Sequence, residues 1–461
     1  MLVSLVVAIA FFMETLDATI IVTALPQMAS DFRIDTTRMS LGITAYLMAA
    51  AACVTASGWL ADRIGTRTLF CGAIGLFTLA SLICGMAPNF ETFIAGRALQ
   101  GAAAAMMSPV GRLVVLRTSE KKDLMRALSA LIWPGLIAPV LGPPLGGWIT
   151  DAFSWHWIFY VNVPVGLIGM ALVMAYVPNE KAPPKPFDLA GFALTAAGLI
   201  ALTYAFDLLA LGDGTGLVPG LLLVAISLVL GALSLRHMRR SAAPLVKLDA
   251  LKVKSFFVSS VTGGIVSRAT ISATPFLLPL MFQLAFGLSA TAAGGWLIVY
   301  MAANLGMKTM TNPIITRFGI RSVLVWSSLL AGVAIAACAF IDPRAAPLLT
   351  GAILAVAGAT RSMQLTSITM VNFADIAPPQ RQPASVLSSL TQQIGMGAGV
   401  AVGALLLMLS QTGRGGAVLA LVDFRVALVA AGLMSALAAL SYLGLATDVG
   451  DEIAGRKAVA G

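Results

Sequence analysis

Long apolar runs of about 18–25 residues recur along the chain, each broken off by a short polar stretch. This pattern predicts membrane-crossing helices near residues 2–25, 39–60, 68–87, 92–114, 125–149, 157–177, 188–210, 217–236, 256–281, 291–312, 321–340, 346–370, 384–409 and 424–445. Polar intrusions are few, so each one is informative. The seventh run holds Asp207 and the twelfth holds Arg361. The first reads FFMETLDATIIVTALP over 11–26, with Glu14 and Asp17 inside it. A carboxylate at the centre of a membrane helix costs about 2.5–3.5 kcal/mol, so two within one turn call for a reason.

Composition agrees with the pattern. Of 461 residues 59% are hydrophobic and only 11% charged, with a mean hydropathy of +0.93. A soluble domain carries about 25% charged residues. The fold class expected is therefore an all-α polytopic membrane protein. A net charge of +9 could suggest nucleic acid, but its placement argues otherwise. With the N-terminus inside, the inner loops collect Arg63 and Arg67, Arg117 to Arg126, Lys181 and Lys185, Arg236 to Lys254, Arg317 and Arg321, Arg381, and Arg456 with Lys457. The outer loops hold little beyond Arg33, Arg38, Arg344 and Arg414. That bias places both termini in the cytoplasm and excludes a nucleic-acid footprint.

The first run lacks a basic leading region and carries two acids, so it is expected to remain as helix one and not to act as a cleavable signal. Cys53, Cys71, Cys84 and Cys338 fall within predicted spans without CxxC pairing and read as small buried side chains. With His156 and His237 as the only histidines, neither a metal site nor any other cofactor is expected. No nucleophile–base set and no phosphate-binding loop points to an enzyme. Methionine is abundant and reads mainly as filler between helices.

The chain also carries an internal echo. GWLADRIGTR (58–67) joins spans two and three, and NPIITRFGIR (312–321) joins spans ten and eleven. Arg63, Gly65 and Arg67 align with Arg317, Gly319 and Arg321, while Thr316 replaces Asp62. The offset is longer than six helices need, and residues 181–245 supply the excess: a KAPPKP linker, two helices joined by GDGTG, and a basic segment. The expected layout is a six-helix bundle over 1–180, a linker with two inserted helices over 181–245, and a second six-helix bundle over 246–461. Repeated halves around a central site are the general architecture of secondary transporters.

Five motifs in order add a family resemblance that covers essentially the whole chain. They are LDATIIVTALP (16–26), GWLADRIGTR, RALQGAAAAMMSP (97–109), APVLGPPLGG (138–147) and WHWIFYVNVP (155–164). Together they resemble the fourteen-helix drug:proton antiporter group of the major facilitator superfamily, and in detail the multidrug exporters of Gram-negative bacteria. The resemblance implies an exporter in the bacterial cytoplasmic (inner) membrane, working by alternating access on a small-molecule substrate and protons. Its expected surroundings are membrane lipid, and a monomer is expected.

Each motif has a physical reading beside the one the family implies. Gly58, Asp62, Arg63, Gly65 and Arg67 form a tight charged turn; the resemblance implies that Asp62 and Arg67 latch one conformational state, with Arg112 as candidate partner. Orientation by positive charge is the simpler alternative. Pro139, Gly142, Pro143, Pro144, Gly146 and Gly147 can kink span five and admit a close neighbour. The resemblance makes this the antiporter motif, although Ala138 stands where the pattern begins with Gly. Arg97 in span four needs a counter-charge, and Asp17 lies at a matching depth. An Asp17–Arg97 pair is the leading proton-coupling candidate, with Gln100 on the same face; a structural ion pair is the alternative. Glu14 is not required by the family pattern and is read as a second proton site, a cation-binding charge or a neutral hydrogen-bonding group. Two such close carboxylates resist ionising together. Arg268, Arg361 and Lys308 lack acidic neighbours in their own helices and are candidates for the substrate cavity. They keep open an alternative substrate, a small organic anion such as a carboxylate or metal chelate, although Lys308 could simply snorkel.

Overall fold

A computed structural model describes residues 2–118, 124–181, 186–209, 216–241, 244, 248–342, 344, 346–377, 380–416 and 418–450. A helix stands at each expected span among these residues: α1 Leu2–Ile20, α2 Leu41–Ile64, α3 Thr66–Gly85, α4 Phe90–Thr118, α5 Leu124–Ala152, α6 Asn162–Tyr176, α7 Leu189–Leu209, α8 Leu217–Arg240, α9 Gly263–Leu280, α10 Ala290–Phe318, α11 Ile320–Cys338, α12 Pro347–Ala374, α13 Arg381–Gly413 and α14 Leu421–Leu443. By length and composition, 11 helical segments among the described residues can cross a membrane. The protein is an all-helical, multi-pass membrane protein. The Asp207 side chain, Lys185, Arg456 and Lys457 lie outside what is described.

The first span runs further than its sequence suggests. Beyond α1 a 3-10 turn over Ile21–Ala24 leads into a short helix, Leu25–Phe32. Pro26 falls in the first turn of that helix, where its missing N–H removes no intrahelical bond. A proline that reads as a stop is therefore accommodated as a restart.

Two compact units make up the chain. The first comprises Met1–Leu208, Leu217–Leu245 and Ser289–Gly294, and so takes in most of α7 and α8. In it α1 packs on α5 and α6, and α3 on α4 and α6. The second comprises Leu209–Gly216, Val246–Leu288 and Gly295–Gly461. There α9 packs on α13 and α14, and α11 on α12 and α14. The same pairing, shifted by eight helices, thus recurs in both. Gly65 (φ 99°) and Gly319 (φ 81°) also share a left-handed backbone at the two echoed turns, a conformation that side chains other than glycine adopt poorly.

Apolar side chains on α8 face outward: Leu228 is 68% exposed and Val229 58%. A helix apolar on every face is a membrane element rather than a water-facing one.

Candidate functional site

A densely hydrogen-bonded polar group of the first unit lies at Asp17. Its Oδ2 accepts from Arg97 Nη1 at 2.7 Å. Its Oδ1 accepts from Asn162 Nδ2 at 2.8 Å and from Gln100 Nε2 at 3.2 Å. Gln100 Oε1 in turn accepts from Arg97 Nη1 at 2.6 Å, and Ser81 Oγ receives Gln100 Nε2 at 2.7 Å and Asn162 Nδ2 at 3.3 Å. Four helices contribute: α1, α3, α4 and α6. Asp17 is 1% exposed, Arg97 0%, Gln100 0% and Asn162 2%. A buried charge persists only when paired and hydrogen-bonded, and here a single acid meets a single base with neutral donors completing the shell.

Local sequence explains how Arg97 is held. A side chain at Gly101 would run into the Tyr46 backbone, so glycine lets α4 close on α2. That contact brings the Tyr46 ring 4.7 Å from the Arg97 guanidinium. Arg97 Nε donates to the Gly42 carbonyl at 3.3 Å, while Nη2 has no hydrogen-bond partner among the described residues.

Glu14 sits three residues earlier and in different surroundings. It is half-buried, and among the described residues its carboxylate accepts a hydrogen bond from Ser108 Oγ at 2.8 Å. Arg112, one turn beyond Ser108 on α4, is exposed and acts on Glu14 through its charge. The two acids share a helix face but not an environment.

α5 lies against the part of the first span that follows Asp17. A side chain at Gly142 would strike Thr19, and one at Gly146 would strike the Ile20 carbonyl. Thr23 Oγ1 donates to the Pro143 carbonyl at 3.3 Å and Thr19 Oγ1 to the Ala138 carbonyl at 3.5 Å. Gly147 is buried against the Ala290 carbonyl of the same unit, and Pro139 and Pro144 are half-buried.

The turn between α2 and α3 is clasped by the segment that follows α6. Thr66 N donates to the Glu180 carbonyl at 3.1 Å, Thr68 N to Asn179 Oδ1 at 3.3 Å, and Asn179 Nδ2 to Thr68 Oγ1 at 3.1 Å. Asn179 also fills the space above Gly65. Gly58 is exposed and open, Asp62 half-buried, Arg67 exposed, and Arg63 stacks 5.1 Å from the Trp59 ring. Trp59 in turn meets Phe187, at the start of the inserted helices, with centroids 4.6 Å apart.

A family description, "Major Facilitator Superfamily", matches residues 7–248 and 260–458. The chain belongs to the major facilitator superfamily. It is 34% identical over 406 residues to a protein of Pectobacterium atrosepticum named "Putative multidrug resistance protein MdtD", covering 87% of this chain and 86% of that one. Proteins of the same name from Escherichia coli and Shigella boydii are 35% identical over 410 residues, covering 87% of this chain and 85% of theirs. Among solved structures, a POT family transporter in complex with 5-aminolevulinic acid matches with a TM-score of 0.71, 12% identity and 95% of each chain covered; that likeness concerns the fold. The chain is therefore a membrane transporter, not an enzyme.

In this superfamily member the second unit carries cations of its own. Arg268 on α9 is 2% exposed. Its Nη1 donates to the Ser259 carbonyl at 3.2 Å, and Nη2 reaches the Asn372 amide oxygen at 3.2 Å when that amide is turned toward it. Arg361 on α12 is half-buried against Tyr300 and Met301, and Lys308 on α10 is exposed. Sequence reasoning brought Asp17, Arg97 and Gln100 together, and the structure does so too. It did not find Asn162, Ser81, Tyr46 or Ser108. Asn162 lies within WHWIFYVNVP, where a lone amide in an apolar run is the available signal.

Proposed function

We propose that this superfamily member is a proton-coupled exporter of drugs or amphiphilic toxic compounds, working by alternating access. The reading adds fourteen membrane crossings, both termini in the cytoplasm, a monomer, and placement in the bacterial cytoplasmic membrane. The observation that carries it is the sealed Asp17–Arg97 pair with its shell of Gln100, Asn162 and Ser81. A protonated Asp17 no longer holds the guanidinium, which biases the inward-facing form; loss of the proton restores the pair and favours the return. Each inward proton contributes about 2.3 kcal/mol per 100 mV of membrane potential. Glu14 serves as a second, more accessible ionisable group, and the α2–α3 turn with Asp62, Arg67 and Arg112 as a conformational latch. The close α1–α5 packing supports the antiporter reading, because it places the Gly/Pro helix against the residues that follow the coupling acid. The relatives' multidrug names support the substrate class.

Ethidium counterflow in proteoliposomes tests export itself. Purified wild-type protein is expected to exchange labelled for unlabelled dye, and an inward-directed proton gradient is expected to accelerate it. Absence of exchange for ethidium and for every other amphiphile in a panel of both charges would remove the reading.

A further inference from the structure

The two arginines of the second unit are satisfied differently. Arg268 is enclosed by the Ser259 carbonyl and the Asn372 amide, neutral acceptors that meet two of its nitrogens. Arg361 has a sparser shell, in which its side chain hydrogen-bonds that of Tyr300. Its Nη1 points at the Met301 sulfur at 3.4 Å, a weak acceptor. Its guanidinium lies 5.7 Å from the Tyr300 ring centroid, and its Nε is buried without a partner among the described residues. A second cation, Lys308, lies within reach of its charge. No carboxylate among the described residues forms an ion pair with either.

Helix geometry brings these groups onto one surface. Met301, Asn304 and Lys308 follow the i, i+3, i+7 spacing of a single face of α10. Gly358 lets α12 approach that helix, since a side chain there would strike the Tyr300 carbonyl. Arg361 follows Gly358 by three residues and so projects beside the same face. On that face of α10, Asn304 Oδ1 is also buried without a partner among the described residues. A half-buried guanidinium with a free Nε–H beside a second, exposed cation favours something negative joining them. The guanidinium keeps its Nε–H free for a carboxylate oxygen, and the amide oxygen can accept an N–H or O–H of the same molecule.

We propose that Arg361, Lys308 and Asn304 form a subsite that binds the carboxylate, or an equivalent anionic group, of a transported amphiphile. The inference rests on the export reading for its context but is measured separately from it. Purified full-length protein in detergent is titrated into carboxyfluorescein and the fluorescence anisotropy followed, with ethidium as the cationic counterpart. Wild type is expected to bind carboxyfluorescein. Arg361→Gln is expected to weaken binding about tenfold, equivalent to about 1.4 kcal/mol, with Arg361→Lys recovering part of it. Lys308→Gln, at an exposed position that tolerates substitution, is expected to weaken it about threefold, with ethidium binding unchanged in all variants. Wild-type protein that fails to bind carboxyfluorescein, or Arg361→Gln and Lys308→Gln variants that bind as wild type does, would overturn the subsite. Because no gradient is applied, a failure of coupled transport would count against export and leave this binding result standing.

Discussion

Asp17 and Glu14 lie one turn apart on α1, yet the fold treats them as different chemical objects. Asp17 is sealed and meets three donors; Glu14 is half-buried and meets one hydroxyl. The difference comes from what α4 and α6 place opposite each, not from the acids themselves. Removing only the base should therefore be costly. Arg97→Leu leaves a buried carboxylate without its counter-charge, an effect of about 3–5 kcal/mol. Thermal unfolding in detergent is expected to show a large loss for Arg97→Leu and a much smaller one for Arg97→Leu combined with Asp17→Asn. Equal losses would mean that the pair is not electrostatically coupled. Asn162→Ala removes a donor from Asp17 Oδ1 and is expected to lower stability by about 1–3 kcal/mol in the same assay. The acid and base were legible in the sequence because intramembrane charges have few affordable solutions. Asn162 and Ser81 were not, since neutral polar residues are common in such helices and only packing tells which of them meet.

Elements carry the next level of constraint. The Gly/Pro pattern of α5 announces a close neighbour but does not say which; the structure supplies Thr19, Ile20 and Thr23. Gly146→Val would drive a branched side chain into the Ile20 carbonyl, and a loss of most dye transport is expected together with reduced yield of folded protein. Gly142→Ala, at the Thr19 hydroxyl, should be milder, and a transport assay on both reads the gradation. The α2–α3 turn makes a parallel case. Its Gly65 has φ 99°, and Asn179 occupies the space a side chain would need. Gly65→Ala is expected to slow transport severely, and Asn179→Ala to loosen the clasp and alter transport without unfolding the protein. Reactivity of a cysteine introduced at Thr68 toward a thiol reagent reads that loosening directly. The clasp escaped sequence reading because its partners are more than a hundred residues apart and half of the bonding groups belong to the backbone. Pro26 shows the converse: a residue read locally as the end of a helix instead opens its continuation.

At the scale of the whole molecule, the placement of the long helices was written into the hydropathy of the chain, because lipid forces a span to be long, apolar and internally bonded. The repeat was legible only through two short turns, whose glycines share a backbone conformation that sequence could hint at but not demonstrate. The recurrence of helix pairing in the two units adds the architectural half of that statement. Orientation remains an expectation with a direct test. In a cysteine-free background, a membrane-impermeant maleimide is expected to label a cysteine at Thr68 only from the cytoplasmic side and one at Asp35 only from the opposite side; the reverse pattern would invert the topology. The central claim is that Asp17 carries the coupling proton. Its most direct measurement is substrate-driven proton release from proteoliposomes holding either wild-type protein or Asp17→Asn. Release on substrate addition is expected from wild type and none from the variant, whose amide preserves the shape of the network while removing its charge. Undiminished proton release from Asp17→Asn would contradict it.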